Sequence, residues 1–317
     1  MTKVGILFSG QGAQVPGMGK DFYEAYPVFK ETFDKNSDVV DVKKICFDGP
    51  DEELNLTANT QPCMVAFAVG VTKVLAEMGI KPDMAAGLSL GEYSALYAAG
   101  VFTEEQVIPL VAFRGKSMVE AAEGRECKMI AVIGMEKDAV KEGCKKVAEE
   151  FEGTGLIAEP ANFNCPGQIT VSGDAEAVDR AAVVLKEMGA KRCLPVKVSG
   201  PFHTSLMKPA GDKLKERFAS ENFGEMQIPV VFNSLGKAKE DSDSVAEILE
   251  KQVQSSVYFD DSIRYMVEQG VELFVEIGPG NTLSKFVQKT TDVPCIKVDK
   301  VEDIEKLKEV IGGYDET

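Results

Sequence analysis

Ser89 stands between two glycines, in Gly87-Leu88-Ser89-Leu90-Gly91. An apolar run, Met84-Ala85-Ala86, climbs into the first glycine, and a helix-forming segment over residues 93–99 follows the second and stops at Gly100. G-x-S-x-G between a strand and a helix lifts a serine Oγ clear of a sheet on a sharp turn. A side chain at position 87 or 91 would crowd the neighbouring strand or helix at such a bend. Unpaired N–H groups at the helix N-terminus, Leu90 among them, favour a developing oxyanion. The pattern points to nucleophilic acyl chemistry. A chance match in a chain with 29 glycines is the alternative, and the strand-turn-helix context argues against it.

A serine nucleophile needs a base within hydrogen-bond reach. His203 is the only histidine in the chain, so an imidazole base can only be this one. It lies in the loop Ser199-Gly200-Pro201-Phe202-His203-Thr204 after an apolar segment, where catalytic side chains are commonly presented. A lone histidine can equally be a satisfied structural residue. No third member stands out among 51 Asp and Glu, and a backbone carbonyl could orient the ring as well as an acid. Arg114 follows an apolar helical stretch (Ile108, Leu110, Val111, Ala112, Phe113). It reads either as an arginine snorkelling at a helix surface or as a guanidinium forked onto a substrate carboxylate. Glu92, in the first helical turn, suits the helix dipole and reads as structural.

The elements around these residues alternate. Residues 4–8 form an apolar strand buried on both faces, as in a parallel sheet, and run into Ser9-Gly10-Gln11-Gly12-Ala13-Gln14. In open α/β sheets, ligands bind at that carboxyl edge. A dinucleotide fingerprint fails because Val15 stands where a third glycine is required. Helical periodicity covers residues 20–34 and 62–78, and Thr103-Glu104-Glu105-Gln106 starts another helix with a capping pattern. From residue 126 the order becomes β-α-β-β-α-β, with strands at 128–134, 156–163, 168–172 and 192–198 and helices at 137–150 and 175–188. That is the split ferredoxin-like unit. The expected organisation is a large α/β core from residues 1–125 and 198–317 with a small domain, 126–197, inserted. Past it, residues 228–232 and 273–277 read as strands, and 244–254, 260–269 and 301–310 as helices.

Composition narrows the function. With 317 residues and a net charge of −16, the chain has no basic excess to displace counterions from nucleic acid. Seven scattered cysteines without a C-x-x-C pair read as reduced thiols, and one histidine with no paired cysteines leaves no metal site. No apolar stretch is long enough to span a bilayer and no signal peptide is evident, so a cytoplasmic location is expected.

Several of these segments together resemble the malonyl-CoA:acyl-carrier-protein transacylases. They are Gly10-Gln11-Gly12-Ala13-Gln14, the stretch from Gly87 to Leu96, Phe113-Arg114-Gly115-Lys116-Ser117-Met118, Asn162-Phe163-Asn164-Cys165-Pro166-Gly167-Gln168, Pro201-Phe202-His203 and Glu276-Ile277-Gly278-Pro279-Gly280. The resemblance implies an α/β-hydrolase-like core with an inserted ferredoxin-like domain, and a ping-pong transfer. In it, Ser89 attacks the malonyl-CoA thioester with His203 as base, and the backbone N–H groups of Gln11 and Leu90 hold the oxyanion. Arg114, with Gln11 beside it, binds the free carboxylate, and the phosphopantetheine thiol of an acyl carrier protein then takes the malonyl group. It also implies that a carbonyl in the segment Lys251-Gln252-Val253, assigned to Gln252, orients the histidine. No permanently bound cofactor and a monomeric state are expected. The sequence departs from the family at Leu88, where a histidine is usual, and at Ser9, where a proline is usual. Phe202 resembles the malonyl-type pattern, because a bulky ring there would crowd an α-methyl group.

Carrier proteins are acidic, so an acidic partner needs a local basic face. Lys191, Arg192, Lys197, Lys208, Lys213, Lys215 and Arg217 bracket His203 and are the candidates. Two other readings stay open: a serine thioesterase or hydrolase on the same elbow, and a non-catalytic carrier-binding scaffold.

Overall fold

Val4–Phe8 (β1) is buried at all five positions, as an unbroken apolar run must be when both faces of a parallel sheet are covered. The structure is a computed structural model describing residues 2–35, 40–198 and 200–315. The further strands are β2 (Met84–Gly87), β3 (Cys127–Ile133), β4 (Ala158–Cys165), β5 (Gln168–Asp174) and β6 (Arg192–Val196). They continue with β7 (Val230–Phe232), β8 (Lys237–Ala238), β9 (Val257–Tyr258), β10 (Leu273–Ile277) and β11 (Cys295–Val298). One sheet runs β11-β10-β1-β2-β7-β8, parallel as far as β7, with β8 antiparallel at the edge.

Register explains where the site forms. Phe8 pairs with both Gly87 and Ile277, so three strands end level with one another. The segments beginning at Ser9, Leu88 and Gly278 therefore emerge side by side, and β7 delivers Asn233 beyond the far side of β2. This is the carboxyl edge at which α/β sheets bind ligands.

The second sheet runs β6-β3-β5-β4-β9. Its first four strands pair antiparallel throughout, whereas β9 joins β4 in parallel through Asn162↔Val257 and Phe163↔Tyr258. That two-residue strand comes from outside residues 126–197, so the sheet is not built from those residues alone. Helices Lys137–Glu150 and Ala175–Glu187 pack together and bury Val140, Val147, Val178 and Leu185 in a core of their own.

Prolines explain two differences from the periodicity. Residues 20–34 break into helices Lys20–Ala25 and Pro27–Lys35, because the residue before a proline is pushed out of the helical region, and Tyr26 sits at φ −124°, ψ 113°. Pro62, by contrast, does not start its helix. Thr57–Glu77 begins five residues earlier, where the Thr60 hydroxyl donates to the Leu54 carbonyl at 2.5 Å. Among the described residues, no helix is long and apolar enough to cross a membrane.

Candidate active site

The elbow is built as tightly as its glycines suggest. A Cβ on Gly87 would lie 2.0 Å from the backbone carbon of Gly91, and one on Gly91 would lie 2.1 Å from the Phe8 carbonyl oxygen. Neither position tolerates any other residue without moving backbone. Between them Ser89 takes φ 53°, and among the described residues only one other non-glycine, His203 at φ 59°, has a positive φ. Such backbone costs on the order of 1–3 kcal/mol and persists only where the surroundings hold it. Here the holders are two amide side chains. Asn233 Oδ1 accepts the Ser89 N–H at 2.6 Å, and its Nδ2 donates to the Gly87 carbonyl at 2.7 Å. Gln252 Nε2 donates to the Ser89 carbonyl at 2.8 Å.

Ser89 Oγ lies 2.6 Å from His203 Nε2, and His203 Nδ1 lies 3.0 Å from the Gln252 carbonyl oxygen. A carbonyl can only accept, so the ring proton sits on Nδ1 and Nε2 is left to accept the serine proton. The histidine loop is pinned from two sides. The Thr204 hydroxyl donates to the Pro201 carbonyl, while Glu159 on β4 accepts from both the Ser205 N–H and the Ser205 hydroxyl. Burial first, and then the Arg114 charge, bring the His203 pKa down to about 4 against the opposing Gln252 hydrogen bond. The ring is therefore neutral and able to accept a proton at neutral pH.

Arg114 is not a snorkelling surface residue: it is 1% exposed. Its Nη1 donates to Gln61 Oε1 at 3.0 Å, and its Nη2 reaches both Ser89 Oγ and Gln252 Oε1 at 3.2 Å. The guanidinium carbon lies 5.3 Å from the centre of the Tyr93 ring. Among the described residues its hydrogen bonds all end on neutral groups, and its Nε–H, buried, has no acceptor. A buried cation held by neutral amides beside a serine hydroxyl keeps charge with which it can pair an anion.

Residues 6–314 match the family described as acyl transferase domain. The malonyl CoA-acyl carrier protein transacylase of Bacillus subtilis (strain 168) is 43% identical over 291 residues, covering 91% of this chain and 90% of that protein. The Escherichia coli (strain K12) protein of the same name is 40% identical, covering 92% and 94%. Among solved structures, the Streptococcus pneumoniae enzyme aligns with a TM-score of 0.91 at 43% identity, covering 97% of this chain and all of that one. A malonyl-transacylase solved in complex with a type II PKS acyl-carrier protein aligns with a TM-score of 0.92 at 38% identity, covering 98% and 100%. This chain belongs to the acyl transferase family.

Around the site of this acyl transferase, the remaining candidates fall into place unevenly. Gln11 is close by: its Nε2 donates to Thr57 Oγ1 at 2.9 Å, and its Oε1 faces Gln61 Nε2 at 3.5 Å. Among the described residues the Gln11 amide N–H has no acceptor. Leu90 caps the helix Gly91–Ala98. Ser9, where the family usually has a proline, is buried, and its hydroxyl donates to Glu276 Oε1 at 3.3 Å. Glu276 also accepts from the Leu283 and Ser284 N–H groups, which ties the Gln11 loop to the start of the helix Thr282–Thr290. Four of the seven basic candidates already have acidic partners: Lys208 with Asp212, Lys213 with Glu120, Lys215 with Glu250 and Arg217 with Glu221. Lys191, Arg192 and Lys197 are exposed. Three residues the sequence did not mark, Gln61, Asn233 and Glu159, hold Arg114, Ser89 and the His203 loop respectively.

Proposed function

We propose that this acyl transferase moves a malonyl group from malonyl-CoA to the phosphopantetheine thiol of an acyl carrier protein through an ester on Ser89. In the first half-reaction Ser89 Oγ attacks the thioester carbonyl while its proton passes to His203 Nε2. The oxyanion is met by the N–H groups of Gln11 and Leu90. The tetrahedral species collapses, and the coenzyme A sulfur leaves with the proton from Nε2. In the second half, the carrier thiol gives its proton to Nε2 and attacks the ester, and Ser89 Oγ recovers a proton as it departs. Arg114 forks onto the free carboxylate throughout.

The observation that carries the substrate is the buried guanidinium, 3.2 Å from Ser89 Oγ and in no salt bridge among the described residues. A hydrolase for neutral acyl chains gains nothing from it. The names of the relatives, and a related transacylase solved with an acyl-carrier protein, support the donor and the acceptor. No resident cofactor enters the scheme, and the chain works in the cytoplasm as a monomer. The order β6-β3-β5-β4, antiparallel throughout, supports reading residues 126–197 as a ferredoxin-like insertion. The parallel sheet and its elbow support an α/β-hydrolase-like core in residues 1–125 and 198–317. Intact mass after mixing with malonyl-CoA tests the proposal. A malonyl adduct is expected on the wild type and none on Ser89→Ala; an unmodified wild type sinks it.

A further inference from the structure

Asn233 has no part in the scheme above, yet it is fully buried and uses every polar atom it has on the elbow or on what surrounds it. Its side chain spans the turn: Oδ1 takes the Ser89 N–H at 2.6 Å, and Nδ2 gives to the Gly87 carbonyl at 2.7 Å. Its own N–H donates at 2.5 Å to Oε2 of Glu92, a fully buried carboxyl one helical turn beyond the nucleophile. Its carbonyl accepts the Tyr258 N–H at 2.8 Å, from the strand that completes the second sheet. It sits directly after β7, the strand paired with β2.

These contacts close a ring: Glu92 fixes the Asn233 backbone, and the Asn233 amide fixes both ends of the bend that carries Ser89. A serine at φ 53° relaxes unless held, and relaxation swings Oγ away from Nε2 and Arg114. We infer that Asn233 is a positioning residue for the nucleophile, clamping the Gly87–Ser89 turn so that Oγ stays within reach of His203. It touches no reacting atom. The clamp needs an acceptor and a donor on one planar group of this length, a demand that an amide meets and a carboxylate or a hydroxyl does not.

The inference rests on Ser89 being the malonylated residue, and the test separates the two. Rapid-quench acylation of wild type, Asn233→Ala and Asn233→Asp is followed by intact mass across malonyl-CoA concentrations, with circular dichroism confirming the fold. Misplacing a reacting atom by an ångström costs about 10²-fold. The expected result is a maximal acylation rate down about 10²-fold in Asn233→Ala, at an unchanged half-saturating malonyl-CoA concentration, because Arg114 and Gln11 are untouched. Asn233→Asp keeps the acceptor and loses the donor, so it should fall between the two. If Asn233→Ala does not fold, Asn233→Asp decides alone. An acylation rate within threefold of wild type in a folded variant overturns the inference, as does a loss confined to half-saturation. An unacylated wild type overturns the function instead.

Discussion

Removing Arg114 should separate malonyl from acetyl transfer, and the size of the separation follows from its surroundings. The guanidinium is 1% exposed and is held by Gln61 and Gln252, with no carboxylate in a salt bridge to it among the described residues. In the proposed scheme a malonyl carboxylate entering this site is desolvated, and its partner is this one cation. Breaking a buried ion pair by deleting one member costs about 3–5 kcal/mol, or about 10²- to 10⁴-fold at 1.36 kcal/mol per decade. Arg114→Ala should lose that much in kcat/KM for malonyl-CoA while acetyl-CoA, having no carboxylate to pair, is transferred as well as before or better. Arg114→Lys keeps the charge but cannot span Gln61, Gln252 and the substrate at once, so it should recover only part of the loss. Because the Arg114 charge also depresses the His203 pKa, the acid limb of the acetyl-transfer profile should move to higher pH in Arg114→Ala. The assay is initial acylation rate with each thioester across pH. Equal losses for both substrates would refute the reasoning and make Arg114 a scaffold for its two glutamines.

His203 and Glu92 give opposite pH signatures. His203, down to about 4 when folded and 6.5 when exposed, stays neutral while the unfolded chain takes up a proton. Stability is therefore fully present above pH 6.5 and declines towards pH 4, by about 3 kcal/mol in all; Tm against pH should flatten on that side in His203→Gln, and an identical slope would contradict it. Acylation by the wild type, for the same reason, should be flat from about pH 6 to 8. Glu92 is raised by burial to about 8, so the native state keeps a proton that the unfolded chain releases near 4.5. That contribution is lost as pH rises from 4.5 to 8, up to about 5 kcal/mol. Glu92→Gln should then gain Tm relative to wild type as pH rises to 8, and a gap that does not widen would show that Glu92 is ionised in the fold.

The meeting of Ser89 and His203 was legible because such groups have few sources in this chain: one serine in a strand-turn-helix frame, and one imidazole. Arg114 could be found but not placed, since an arginine after an apolar stretch looks the same whether its tip reaches water or a pocket. Asn233 and Gln252 were beyond reach as side chains. They lie 144 and 163 residues from Ser89, and a neutral amide has no signature until tertiary structure brings it against a bend. The same limit hid β8 and β9, two residues each, which are too short for any period to register and exist only because a neighbouring strand offers hydrogen bonds. Leu88, the departure from the family at the elbow, donates its N–H to the Phe8 carbonyl at 3.0 Å and packs its side chain, partly buried, against the core around Leu7, Ala86 and Phe259.

The imidazole at this site is steered by the main-chain oxygen of Gln252, while that residue's side chain serves Ser89 and Arg114. Every residue type has a carbonyl, so no point substitution can delete the steering atom. Mutational scanning would report only the amide's effects at position 252 and miss the contact that fixes the tautomer. The contact that orients His203 is chemically present but genetically silent.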